Sequence, residues 1–396
     1  MKSLKYSLIL LTIVSVVADT MLLPFYSQFF AQTFDMHSAQ HVGYYLAASC
    51  FTVMLAFPIW AKVAKKVNEL HLWVYTQLIA GALGLACYYS QSLVQFWLLS
   101  QLMLVFKASY LLIYPFVIRL EEKHKHMSMV SLFSVLMHFG AIGGALLGGI
   151  ILQFFTPRDV YLVMPISDVI QVLVCVFIIS MLKVPFRAVS DNNDISDKPS
   201  RAHKKFVLNI GLVSMLFYFS VFLIRPFFSR YWESISHLNN EIVSGFLYSI
   251  PGWVALVGLW INHRANSNSS HRQSILAALF IGIAGIMLQG TQQEWWVFIG
   301  RIIFGWGLFQ ATVRLEVFLF SQSSPAHYAS DFSRVYFFQN IGLIAASFTV
   351  GYIVDSHSLV APFYLAMAGL IVTAGYFSFA FKNNAQSSIS HMQEAQ

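Results

Sequence analysis

Apolar runs of roughly 20 residues recur from one end of this chain to the other, and a helix of that length crosses the ~30 Å hydrocarbon core of a bilayer. Inside hydrocarbon every backbone N–H and C=O must find a partner within its own segment or its sheet, so such runs are restricted to helices or closed barrels. Runs this long are helices. Of the 396 residues, 57% are hydrophobic and 10% are charged, against about 25% charged in an ordinary soluble chain. With a mean hydropathy of +0.65, a water-soluble globule would lack the polar groups to cover its surface, and the membrane is the solvent.

Twelve spans are expected, at 6–30, 42–61, 71–90, 93–118, 128–154, 159–182, 206–231, 242–262, 273–290, 294–320, 329–354 and 359–381. They divide the chain into a six-helix bundle at 1–183, a polar linker at 184–205, a second six-helix bundle at 206–382 and a polar tail at 383–396. Lys2 and Lys5 precede the first apolar run, but that run continues to Phe30 without a small-residue cleavage site, so it reads as a retained span and not a signal peptide. Cys50, Cys87 and Cys175 all fall inside apolar runs, with neither disulfide-framework nor metal-site spacing.

The net charge of +7 does not point to nucleic acid, because the basic residues stand in short loops beside helix ends. With a cytoplasmic N-terminus, Lys2, Lys5, Lys62, Lys65, Lys66, Arg119, Lys123, Lys125, Lys183, Arg187, Lys198, Arg201, Lys204, Lys205, Arg264, Arg272 and Lys382 lie inside, and only Arg158 and Arg230 lie outside. Cytoplasmic loops retain positive charge, so both termini and the linker are expected in the cytoplasm of a multi-pass inner-membrane protein.

The halves repeat. Leu23 to Phe30 (LPFYSQFF) lies over Arg225 to Trp232 (RPFFSRYW), and the same offset sets Gly43 on Gly245, Gly140 on Gly342 and Gly149 on Gly351. Parallel six-helix repeats are one architecture for alternating access across a membrane.

On these residues the chain resembles the major facilitator superfamily, and within it the drug/proton antiporter-type exporters. The fifth span carries Gly140, Gly144, Gly148 and Gly149 in GAIGGALLGG, similar to the antiporter signature with Ala145 where proline is expected. Small residues at that spacing let helix backbones approach closely, so a plain packing seam accounts for them equally. Trp60 to Leu70 (WAKVAKKVNEL) keeps the family's basic residues at Lys62, Lys65 and Lys66 without its glycine and aspartate; Met103, Phe106 and Lys107 occupy the fourth-span motif ahead of Pro115. The resemblance implies an all-α fold of two six-helix repeats, with spans one, four, seven and ten lining a central cavity.

Five basic residues fall inside spans: Lys107, Arg225, Arg301, Arg314 and Arg334. A charge near the bilayer centre costs about 2.5–3.5 kcal/mol, so each is expected to face a partner or water. Asp19 and Lys107 lie near mid-span, and Arg225 about 9 Å toward the outer end of its own. Asp19, Lys107, Arg225, Arg314 and Glu316 are therefore the candidate substrate-binding and proton-coupling residues. Two readings of Asp19 and Lys107 stand: a fixed structural ion pair, or an aspartate that exchanges its proton for substrate or for a salt bridge to Lys107. Arg314 and Glu316, two apart on one helix, do not face each other and could form a gate. Asp168 lies mid-span in the sixth helix without an assigned role. His138 reads as a packing histidine, and Asp331 and Arg334 as solvated interfacial residues. Most aromatics on the cavity helices, like Trp295 and Trp296, belong to packing or the interfacial belt.

The function expected is proton-coupled export of a small organic solute or drug, with excess cations favouring an anionic or carboxylate-bearing one such as a carboxylate siderophore or a simple organic acid. Proton-coupled import of a carboxylate or nutrient uses the same charges, and a non-transporting receptor or scaffold is the alternative class. No phosphate loop, zinc site or paired nucleophile and base supports an enzyme or an ATP-driven pump, and no cofactor is expected. Partners are the solute, protons and lipid, for a monomer. A reporter fused after Lys382, and another placed within Asp191 to Ser200, should both signal from the cytoplasm; a periplasmic signal from either overturns the topology.

Overall fold

The computed structural model describes residues 2–113, 126–187, 200–238, 240–264, 271–323 and 328–382. Tyr114, Pro115, Arg119, Lys123, Lys125, the linker from 188 to 199 and the tail beyond Lys382 lie outside the described residues. The helices, in order, are α1 (Lys2–Thr20), α2 (Tyr26–Phe34), α3 (Ala39–Val63), α4 (Glu69–Tyr88), α5 (Leu93–Lys107), α6 (His126–Phe154), α7 (Val160–Leu182), α8 (Arg201–Phe222), α9 (Phe228–Ile235), α10 (Glu241–Arg264), α11 (His271–Gln289), α12 (Glu294–Gln322), α13 (Tyr328–Ser356) and α14 (Ala361–Ala380). Short 3-10 turns occupy Ala108–Leu112 and Pro157–Asp159. Eleven helical segments among the described residues are long and apolar enough to cross a bilayer, and Ile9–Thr20 adds a shorter apolar stretch.

Polar residues start several helices by accepting orphan backbone N–H groups. Ser38 accepts from His41 N–H ahead of α3, Asn68 from Leu70 N–H ahead of α4, Ser92 from Gln95 N–H ahead of α5 and Ser200 from His203 N–H ahead of α8. Two compact units result, one made of residues 1–193 and 226–256, the other of 194–225 and 257–396. In the first unit α1 lies against α6 and α7, and α4 against α5 and α7. In the second, α8 lies against α13 and α14, and α11 against α12 and α14.

Spans one and seven are not the continuous helices expected at 6–30 and 206–231; each is a helix, a turn and a short helix. Proline causes both breaks, because it has no N–H to donate and its ring clashes with the carbonyl four residues back. The carbonyl that Pro24 cannot use, that of Thr20, accepts instead from Leu23 N–H at 3.2 Å, and that of Phe222 accepts from Arg225 N–H at 3.0 Å ahead of Pro226. The two halves of the LPFYSQFF/RPFFSRYW repeat therefore fold alike. The short helices after the breaks meet within the first unit: Gln28 Nε2 donates to Glu233 Oε1 at 2.8 Å, and Arg230 Nη1 to Ser27 Oγ at 3.3 Å.

Span four also departs from a continuous helix. α5 stops at Lys107 and tightens into the 3-10 turn at Ala108–Leu112. Side chains from other helices serve the backbone around this change: Trp60 Nε1 donates to Val105 O at 2.6 Å and Trp73 Nε1 to Ser109 O at 3.0 Å, while the hydroxyls of Thr76 and Ser109 lie 2.8 Å apart.

The glycines of α6 form a seam for α1. A Cβ at Gly140 would lie 2.6 Å from Val16 Cγ1, one at Gly144 would run into Thr20 Oγ1 and lie 2.8 Å from Val17 O, and one at Gly148 would run into Met21 O. Gly149 faces the other way, with Glu241 O 2.6 Å from its missing Cβ. Val16, Val17, Thr20 and Met21 bracket Asp19, so the depth of this seam sets where that carboxylate stands. Gly144→Leu and Gly148→Leu keep the span apolar but wedge α1 outward. Both variants should insert at near wild-type levels, read by membrane fractionation, and lose most transport; normal transport by both would remove the seam from the account.

Candidate functional site

Asp19 approaches the site from α1, Lys107 from the end of α5 and Asp168 from the middle of α7, all within the first unit. Lys107 Nζ donates to Asp19 Oδ1 at 2.8 Å and to Asp168 Oδ1 at 2.9 Å. One ammonium between two ionised carboxylates leaves a formal charge of −1. Charge-assisted contacts this short, away from bulk water, are strong and hold their geometry.

The two carboxylates are not equivalent. The Asp168 side chain is 1% exposed and that of Lys107 7%, whereas that of Asp19 is 39% exposed. α4 makes room for Asp168: a Cβ at Gly81 would lie 3.4 Å from Asp168 Cβ, and one at Gly84 would lie 3.1 Å from Pro165 Cγ. Gln171 Nε2, one helical turn on, lies 3.4 Å from Asp168 Oδ1, while Asp168 Oδ2 is buried without a hydrogen-bond partner. Asp19 Oδ2 accepts from Ser15 Oγ at 3.3 Å, and Ser167 Oγ donates to Val14 O at 3.2 Å, tying α7 to α1 beside the ion pairs. Asp168 is thus the buried, fixed partner, and Asp19 the partner with open space beside it.

In the second unit Arg314 and Glu316 turn to different neighbours. Arg314 Nε donates to Gln310 Oε1 at 3.2 Å, and Gln310 exchanges hydrogen bonds with Asn262. Glu316 lines a narrow pocket with Ser214, Tyr218, Thr312 and Gln339. Arg225 stands partly buried at the Pro226 break, and Arg301 is buried in α12. Among the described residues, Arg225, Arg314 and Glu316 make no salt bridge.

Two expectations change. Asp331 is not a solvated interfacial residue: it is fully buried, with Oδ2 2.7 Å from His203 Nε2, whereas Arg334 is exposed as expected. Asp168, left without a role, joins Asp19 and Lys107. Its mid-span carboxylate, flanked on the same helical face by Ser167 and Gln171 in an otherwise apolar α7, is the available signal. No cluster of three or more His, Cys, Asp or Glu side chains among the described residues could hold a metal ion.

The family described as Major Facilitator Superfamily matches residues 8–313. No curated protein sequence matches the chain. Solved structures similar in fold include an auto-inhibited POT family peptide transporter (TM-score 0.76, 10% identity, 96% of this chain and 97% of that one). The nucleoside transporter NupG is another (TM-score 0.75, 13% identity, 96% and 100%). The human organic anion transporter MFSD10 is a third (TM-score 0.69, 14% identity, 94% and 98%).

The asymmetry of the ion-paired centre predicts an order of stabilities. Lys107→Met leaves two carboxylates facing each other and should lower the unfolding free energy by about 3 kcal/mol. Asp168→Asn should cost less, and Asp19→Asn least, because solvent screens its exposed carboxylate. Thermal melting in detergent reads the order; equal losses in all three variants would contradict a buried partner and an exposed one.

Proposed function

We propose that this chain, which belongs to the Major Facilitator Superfamily, is a proton-coupled secondary transporter that exports a small carboxylate-bearing organic solute. The observation that carries the proposal is the sharing of Lys107 between Asp19 and Asp168 at 2.8 and 2.9 Å. With both carboxylates ionised the centre holds one negative charge more than positive, an arrangement that hydrocarbon penalises and that one proton neutralises.

Asp19 is the carboxylate able to take that proton. Its side chain is partly open, and Lys107 keeps Asp168 as a partner when Asp19 lets go. Loss of the Asp19 contact therefore does not strand a lysine in the membrane, where an unpaired charge is costly.

Arg225 and Arg314 in the second unit support an anionic solute. Neither is neutralised by an acid among the described residues, and an uncompensated cation lowers the cost of bringing a carboxylate into a low-dielectric setting. A family relative in fold, MFSD10, is described as an organic anion transporter. The glycine seam of α6 supports export by its likeness to the antiporter signature. Siderophores with free carboxylates fit this class, as do simple organic acids. The location proposed is an inner membrane, with both termini in the cytoplasm and two six-helix halves at 1–183 and 206–382.

Counterflow in proteoliposomes with labelled carboxylates, siderophores and cationic drugs tests the solute class, and a pH gradient tests the coupling. Asp19→Asn should abolish accumulation driven by the gradient while leaving solute exchange within about threefold of wild type, because the amide imitates the protonated acid but does not cycle. Arg225→Ala and Arg314→Ala should each weaken carboxylate exchange about tenfold, equivalent to about 1.4 kcal/mol, and leave neutral or cationic compounds unaffected. Gradient-driven accumulation by Asp19→Asn would remove the proton from Asp19, and equal losses for anions and cations would remove the anionic solute.

A further inference from the structure

Far along the chain from Asp19 and Asp168, Glu316 is another carboxylate in a span, and among the described residues it pairs with no cation. Glu316 lies in α12 six residues before its end at Gln322, about 9 Å from the end that the basic-residue pattern assigns to the cytoplasm. The one arginine nearby in sequence, Arg314, is turned to Gln310 at 3.2 Å. Among the described residues Glu316 makes neither a salt bridge nor a hydrogen bond. Glu316 is partly buried within its span, and an ionised carboxylate there without a compensating interaction is costly, which favours a bound proton.

Its surroundings suit a proton. Ser214 and Tyr218 reach the pocket from α8, Thr312 and Leu315 from α12 itself, and Phe332, Val335 and Gln339 from α13. The free space is about that of one water molecule, too small for an organic solute. The hydroxyls and the Gln339 amide are neutral, and they can hydrogen-bond either a carboxylic acid or a water beside it. The charged and titratable groups around the pocket are few. From α8 and the turn after it come Tyr218 and Arg225, and from α13 Tyr336; Arg334 is exposed, and Asp331 is taken by His203.

We propose that Glu316 is a second proton-binding site, built wholly within the second unit and independent of the Asp19 centre. Hydronium at the cytoplasmic side gives its proton to the Glu316 carboxylate through the water-sized space, leaving a neutral acid and water. The consequence, a second proton moved per transport cycle, rests on the reading of the chain as a proton-coupled transporter; the binding of the proton itself does not.

Infrared difference spectroscopy of the purified full chain between acidic and alkaline pH, without any solute, tests the proposal. Wild-type protein should show the C=O stretch of a protonated carboxyl group that is lost on raising the pH. Glu316→Gln should lose that component, Glu316→Asp should retain it at a shifted frequency, and Asp19→Asn should leave it in place. An unchanged carboxyl signal in Glu316→Gln overturns the proposal, as does its disappearance in Asp19→Asn. The signal of Glu316 present in a protein that fails to accumulate solute on a pH gradient would support this site while rejecting proton coupling. The signal absent in a protein that does accumulate would reject this site and leave the coupling standing.

Discussion

A lysine ammonium in hydrocarbon must be neutralised where it stands, and Lys107 is neutralised twice. Its Nζ lies 2.8 Å from Asp19 and 2.9 Å from Asp168, so three helices are held at one point by charge. Neither aspartate alone would bind α1, α5 and α7 together. On the proposed function, the surplus of one negative charge is what a proton would neutralise.

The rest of the first unit serves to bring those three groups together. The α6 glycines admit α1 to backbone contact, and the residues that fill the seam are those on either side of Asp19. Gly81 and Gly84 on α4 give the same access to Pro165 and Asp168 on α7. Lys107 closes α5 at a change to 3-10 geometry, where the indoles of Trp60 and Trp73 satisfy Val105 and Ser109 carbonyls. Irregular backbone at membrane depth persists only with such partners. The charged group thus stands where the helix has already been made irregular, at no further cost to the backbone around it.

Much of the architecture was legible because the bilayer leaves a chain few choices. Length, apolarity and the basic loops define the spans, and the repeated proline marks a feature common to both halves. What the pattern alone missed was that Pro24 and Pro226 end helices instead of bending them: a neighbouring carbonyl, that of Thr20 or Phe222, accepts from the residue before proline. The break at Lys107 has no local sign, since its backbone carbonyls are satisfied by the indoles of Trp60 and Trp73, residues more than 30 positions away in sequence. Asp19 and Lys107 were legible as charges needing partners. Asp168 was equally visible as a charge, on a face of α7 that Ser167 and Gln171 mark as polar, but a lysine's reach to two acids appears only in three dimensions. Asp331 stands near a helix end, where solvent is the expectation, but the packing of α8 on α13 supplies His203 as its partner instead.

Proton release on solute binding tests the central claim most directly. The purified protein in weakly buffered detergent, with a pH indicator dye, is given the carboxylate most active in counterflow. Wild-type protein should release a proton from the Asp19 centre over the pH range in which binding is strongest, and Asp19→Asn should bind the same compound while that release is lost. Release of equal size from Asp19→Asn would contradict the account, because the proton would then come from a group other than the exposed partner of Lys107.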